Sequence, residues 1–507
     1  MTPPPQGLQN AKPVHTDHPS DTALHAEDQG YHKGLKPRQI QMIAIGGAIG
    51  TGLFMGAGGR LANAGPALVL TYAVCGFFAF LILRALGELI MHRPSSGSFV
   101  SYAREFFGEK AAFATGWLYW LNWVMTAIVD VTAVALYMNF FAKYWAPIGA
   151  VPQWVFALGA LVLVLGLNLV SVKVFGELEF WFSLIKVVAI IAMIAGGAAI
   201  IAFGFQAGGS TVAPGLGNLV EHGGLFPHGF EGLLASFAVV MFAFGGIETL
   251  GITAGEAADP KRVIPKAVNT VPVRVLLFYV LTLGVLMSLF PWNEIGSNGS
   301  PFVQIFSGLG IPAAPHILNA VVITAALSAI NSDIFGAGRI LFGLSNQGHA
   351  PAVFGKVSRH GVPWMTVVMM AGILLVGVVL NAVIPEDVFI LIASIATFAT
   401  VWVWVMILAS HVAMKREIAR KGLPASEFPS PWWPAASVLT IAFMALVIAV
   451  LGAFEDTRIA LYVGGAWLVL LVLAYRLWIK GDGRRRAELV DETSPLPVVA
   501  TAVSTGS

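Results

Sequence analysis

The sequence predicts an all-α polytopic membrane protein with twelve transmembrane helices, arranged as a 5+5 inverted repeat in which helices 1 and 6 are broken. Three observations carry this reading. Of 507 residues, 57% are hydrophobic and only 11% charged, with a mean hydropathy of +0.78, whereas a soluble domain has about 25% charged residues. Apolar runs of roughly 20 residues recur from Ile40 to Trp478, each long enough to cross a hydrocarbon core of about 30 Å. Two of these runs, about 200 residues apart, are interrupted by similar glycine clusters. The composition excludes a water-soluble enzyme. A net charge of +2 argues against a nucleic-acid partner, which needs a concentrated basic surface. The single cysteine, Cys75, lies inside an apolar run, so neither an internal disulfide nor a cysteine-based metal site is expected.

Taken in order, residues 1–37 are polar and rich in Pro, His and Asp, and read as a disordered cytoplasmic tail. A twelve-helix membrane domain occupies 38–480. Its spans fall near 38–59, 66–91, 113–142, 152–171 and 179–204 in a first repeat over 38–204. A second repeat over 231–411 holds spans near 231–255, 273–291, 313–341, 363–383 and 387–411. Two further helices lie in 432–479, near 432–453 and 458–479, and a second cytoplasmic tail covers 481–507. The basic residues alternate with the loops: 23 fall on one side, and only Arg60, Lys143 and Arg458 on the other. Lys and Arg in short loops stay cytoplasmic, so both termini are expected inside. The linkers 205–230 and 292–312 contain no Lys or Arg, which places them outside.

The first span reads Ile45-Gly46-Gly47-Ala48-Ile49-Gly50-Thr51-Gly52-Leu53-Phe54, with four glycines in seven residues. Glycine costs about 1 kcal/mol relative to alanine in a helix, so this cluster marks an interruption. The sixth span reads Phe242-Ala243-Phe244-Gly245-Gly246-Ile247-Glu248-Thr249-Leu250-Gly251. Paired glycine-interrupted spans in corresponding positions of two halves point to a transporter with its site at the breaks. Unwound backbone offers N–H groups to an anion and carbonyls to a cation. An α-amino acid carries both charges. Its carboxylate is expected on the amides around Gly50, Thr51 and Gly52 with the Thr51 hydroxyl, and its ammonium on carbonyls near Ala48, Ile49, Phe242 and Ala243. Gly245 allows close approach at the second break, and Phe244 is the aromatic expected near the substrate. The competing reading is that the glycines merely let helices pack closely.

Ionisable groups inside spans cost roughly 3 kcal/mol each on insertion scales. The candidates are Glu88, Asp130, Glu179, Lys186, Glu248 and Asp333. Glu88 stands four residues after Arg84, a spacing that suggests a structural ion pair. Glu179 reads as interfacial, and Asp333 as either an inner-gate or an interface residue. Glu248 follows the second break and is placed either to cap the half-helix or to meet ligand or proton. Lys186 is a lone cation in span 5; the alternatives are snorkelling and proton coupling, with Asp130 and Glu248 as relay partners. The eleven histidines fall in tails, loops or span ends, so no haem or metal is expected in the bilayer, and no cofactor is expected.

The same stretches resemble the amino acid transporter family of the amino acid, polyamine and organocation superfamily, from about Gly34 to Trp478. The resemblance is carried by Gly46 to Gly52, Arg84-Ala85-Leu86-Gly87-Glu88-Leu89, Phe244-Gly245-Gly246-Ile247-Glu248, Ala254-Gly255-Glu256 with Asp259-Pro260, and Ile264-Pro265-Lys266-Ala267. It implies a twelve-span fold, proton-driven amino acid uptake across the bacterial inner membrane, and a span 5 lysine, matched by Lys186, in the place of a sodium ion of related carriers. His92 to Tyr102 with Gly108-Glu109-Lys110 is similar to asparagine permeases. Val172 to Phe182, Asn331-Ser332-Asp333 and Asp456-Thr457-Arg458 resemble proline-type permeases and cover more of the chain. Proline or another small neutral amino acid therefore leads, with asparagine as the alternative. A channel would need a continuous polar path through spans that are nearly all apolar, and a membrane enzyme would need clustered His, Cys or carboxylates; the expectation is a transporter whose partners are an amino acid, protons and the lipid bilayer.

Overall fold

The computed structural model describes residues 50–93, 98–170, 172–204, 212–251, 260–294, 302–303, 313–358, 363–384 and 388–479. The two tails, most of the first span's inner half, and the candidate ligand residues Ala48 and Ile49 lie outside the described residues. All regular structure among the described residues is helical.

The described part of the first span is a short helix α1 (Thr51–Phe54), a break at Met55, and α2 (Gly56–Ala64). There follow α3 (Ala67–His92), α4 (Ser98–Phe107), α5 (Glu109–Asn139), α6 (Gln153–Val170) and α7 (Val172–Phe203). The next group is α8 (Gly229–Ala243), α9 (Arg262–Leu289), α10 (Ala314–Asn346) and α11 (Trp364–Val383). Last come α12 (Val388–Lys421), α13 (Ala435–Ala453) and α14 (Glu455–Leu477). Nine of the described helices, α3, α5, α7 and α9 to α14, are long and apolar enough to cross a membrane. Helices α6 and α8 are shorter but apolar.

Local chemistry sets the boundaries. Gly65 ends α2 with φ +57°, a conformation that L side chains disfavour, and Pro66 then opens α3, where a missing N–H costs nothing. Gly108, at φ +81°, separates α4 from α5. Within α9 the ladder widens to a π segment over Leu276–Leu281, a departure that often accompanies a functional position; Tyr279 lies in it.

Helices α5 and α12 form the buried middle, with α10 packed along α5 and α3, α8 and α14 against α12. The outer helices turn large apolar side chains outward, including Val162 and Leu163 of α6, Val188 and Ile191 of α7, and Leu375 and Val379 of α11. Such surface suits lipid rather than water. Inside, helix pairs are joined by polar contacts, as expected where packing alone discriminates poorly. Asn168 donates to Asn331 at 2.9 Å, Gln153 to Asn381 at 2.8 Å, and Asn381 to Thr132 at 2.8 Å.

The expected Arg84–Glu88 pair does not form. The Glu88 carboxylate, fully buried, meets His411 Nε2 at 2.8 Å and Lys415 Nζ at 2.9 Å on α12, and accepts the Ser430 amide at 2.7 Å. Arg84 instead donates to Asn269 Oδ1 at 2.9 Å and lies 3.6 Å over the Phe428 ring. The partners of both charges thus come from α9, α12 and the loop after α12 rather than from the neighbouring turn. His411, expected at a span end, is in consequence well inside α12, which runs on to Lys421.

Candidate functional site

The two interrupted spans meet. A Cβ built on Gly52 would stand 2.6 Å from the Ala243 Cα and 2.8 Å from its Cβ, distances that real side chains do not tolerate, so the glycine is required for this approach. Gly50, by contrast, has open space where a Cβ would stand, with nothing within 4 Å. It caps α1 with extended backbone and, among the described residues, no side-chain cap is made to that turn, whose uncapped amides can take another acceptor.

At the second break α8 ends at Ala243, and the chain turns through Phe244 to Glu248 before helix resumes at Thr249. Gly246 makes that turn with φ +91°. Gly245 is placed against Phe242 O and Thr400 Oγ1, at 3.1 and 3.5 Å from an added Cβ. Glu248 folds back onto the turn: the Gly246 amide donates to Oε1 at 3.3 Å and Trp404 Nε1 to Oε2 at 3.1 Å. A carboxylate so held organises the unwound segment from within.

Each break presents a carbonyl to a tyrosine on the helix that follows it. Tyr72 of α3 donates to Gly52 O at 3.2 Å, and Tyr279 of α9 donates to Ala243 O at 3.1 Å. The two tyrosine rings stack with centroids 5.2 Å apart, and Phe244 packs on Tyr279 at 4.9 Å and on Tyr72 at 6.1 Å. Phe244, the aromatic expected beside the substrate, thus packs against both tyrosines.

The buried charges gather on the other side of α1. Thr51 Oγ1 donates to Asp130 Oδ1 of α5, joining the first break to a carboxylate for which the sequence shows no partner. Asp130 faces Asp333 of α10, and both act on Lys186 of α7. Lys186 is 1% exposed and does not snorkel; its ammonium donates to Ser328 Oγ of α10 at 2.9 Å, and Ser328 Oγ donates to Glu179 Oε1 at 2.7 Å. Glu179, expected at the interface, is buried, because α10 covers its face of α7. Of the acidic groups expected as relay partners, Asp130 shares this cluster, while Glu248 bonds to the second break and α12.

Residues that the sequence reading does not single out complete the site. They are Tyr72, Tyr279, Trp404 and the pair Asn122–Thr400, in which the Thr400 hydroxyl donates to Asn122 Oδ1 at 2.9 Å; Ser328, equally unmarked in the sequence, joins the buried charges rather than the breaks. The π segment around Tyr279 leaves no trace in composition, and a serine or threonine in a span is too common to be a signal.

The amino acid permease family matches residues 39–486. An L-asparagine permease of Salmonella typhimurium is 46% identical over 478 residues, 94% of each chain. Amino-acid permease AapA of Bacillus subtilis is 45% identical over 451 residues, 89% of this chain and 96% of the relative. An uncharacterized amino acid permease, YtnA, of the same organism is 44% identical over 469 residues, 92% of this chain and 99% of the relative. With two broken helices set against each other, apolar helices around them, and relatives matched over nearly their whole length, the chain belongs to the amino acid permease family.

Proposed function

We propose that the protein is a proton-coupled symporter that imports a small neutral amino acid across the bacterial inner membrane, with twelve spans and both termini cytoplasmic. The observation that supports it most is the contact of Gly52 with Ala243, which sets the two interruptions side by side. The ligand carboxylate then lies on the amides of Gly50 to Gly52, and its ammonium on carbonyls at Phe242 and Ala243. The paired tyrosine contacts at Gly52 and Ala243 agree with an inverted repeat, since each involves a break and the next span. Lys186, buried between α7 and α10, is the coupling group: protonated it holds the helices together, and deprotonated it releases them.

Asparagine leads as substrate. The Asn122–Thr400 pair borders the second break beside Gly245 and offers the donors and acceptors that a carboxamide side chain needs, and relatives named above include an L-asparagine permease. Proline is the second reading, favoured by the resemblance of Val172 to Phe182 and of Asn331 to Asp333. Uptake of labelled asparagine into proteoliposomes under an imposed proton gradient tests both. Accumulation should saturate, collapse with a protonophore, and yield to unlabelled asparagine far more than to lysine or glutamate. Stronger competition by proline than by asparagine would exchange the two substrates, and uptake indifferent to the gradient would remove the proton from the mechanism.

A further inference from the structure

Lys186 and Glu179 lie seven residues apart on α7, two helical turns along one face, a separation of about 10 Å. The lysine meets the acid through Ser328 of α10 rather than directly, by hydrogen bonds of 2.9 and 2.7 Å that both run from the ammonium toward the carboxylate. All three side chains are buried. Among the described residues, the buried hydroxyl of Ser183, one turn from each on the same helix, has no partner, and neither does the second oxygen of Glu179. Buried polar atoms of this kind are normally satisfied, so both are further hydrogen-bonding groups beside this chain of bonds.

We propose that Ser328 and Glu179 form the exit path for the coupling proton, with Lys186 as its donor. This rests on the proton-coupled reading above and deepens it. In the step, an Nζ–H bond of Lys186 breaks, leaving the electron pair on nitrogen, and that proton bonds to Ser328 Oγ. The original Ser328 O–H bond breaks as its proton bonds to Glu179 Oε1. The products are a neutral amine, an intact hydroxyl and a neutral carboxylic acid, so one positive and one negative charge vanish together. The Lys186–Glu179 pair thus loses both of its charges at once, in a medium where an isolated ion is costly. Glu179 then gives the proton to water at the α7 end nearer Val172, and rotation of the Ser328 hydroxyl resets the path. Asp130 of α5 and Asp333 of α10 are the other charged groups acting on Lys186. They hold the proton on the lysine until the helices move.

The test compares wild type with Lys186→Met, Ser328→Ala, Ser328→Thr and Glu179→Gln in proteoliposomes. Two readouts are taken for each: accumulation of labelled asparagine driven by a proton gradient, and gradient-free exchange of internal for external asparagine. Ser328→Ala and Glu179→Gln should accumulate less by at least about tenfold, the low end of what proton-transfer groups contribute, while exchange stays within about twofold and Ser328→Thr recovers accumulation. Wild-type accumulation in both Ser328→Ala and Glu179→Gln overturns the relay. Loss of exchange together with accumulation in Ser328→Thr also overturns it, assigning Ser328 to packing. Loss of accumulation in Lys186→Met alone leaves lysine coupling standing without this exit, whereas normal accumulation in Lys186→Met removes the coupling reading itself.

Discussion

Glu88 shows how one buried carboxylate can hold three elements at once. It carries no solvent exposure and accepts from His411, Lys415 and the Ser430 amide, so α3, α12 and the chain after α12 converge on two oxygen atoms. Removing one partner of a buried charged cluster leaves the others desolvated and unpaired, at a cost of about 3–5 kcal/mol. Glu88→Ala should therefore lower the melting temperature in detergent markedly. Glu88→Gln, which keeps an oxygen for the Ser430 amide, should lower it less. Equal melting of the two variants would show that the charge contributes nothing beyond filling space. The sequence exposes this residue as an anomaly but not its partners. Its four-residue distance from Arg84 points to a local pair, whereas the groups that bind it come from positions more than 300 residues away. Lys186 teaches the same lesson. A lone cation in an apolar run is legible, yet Ser328 and Glu179 become its path only once α10 packs on α7.

At the scale of elements, the two breaks are the part of the site most open to reading, because glycine clustering against an apolar background has few other causes. Their mutual contact is not legible, since it depends on how α1 and α8 cross. That contact separates the glycines by function. A methyl group on Gly52 would collide with the Ala243 backbone, whereas one on Gly50 meets open space. Overpacking of this kind costs about 1–3 kcal/mol. Gly52→Ala should thus reduce transport about tenfold or more while membrane expression persists, and Gly50→Ala, which keeps the backbone amide and adds its methyl group to open space, should transport close to wild type. Equal activity of the two variants would return the glycines to a general packing role. Tyr72 and Tyr279 escape a reading of the sequence because nothing local distinguishes a tyrosine that bonds a distant carbonyl from one at a membrane interface. Only the matching geometry of the two contacts reveals their common role in closing the unwound segments.

For the whole molecule, charge and helix length together give a direction. Helix α12 has 34 residues, about 50 Å at the α-helical rise, and so is longer than a hydrocarbon core of about 30 Å. Its last turns carry Lys415, Arg416, Arg420 and Lys421, which the positive-inside tendency places in the cytoplasm. The turn at Leu216–Leu219 lies in a linker free of Lys and Arg, which the same tendency places outside. Cys75 is fully buried, so replacing it by alanine removes the one native thiol without touching either surface. In that background, cysteine at Leu216, an exposed position, should react with a membrane-impermeant thiol reagent added to intact cells. Cysteine at Ala425, exposed just beyond α12, should react only after the membrane is opened. The reverse pattern would invert the molecule and with it the proton exit, since the Val172 end of α7 would then face outward and Glu179 would release its proton against the direction that uptake requires.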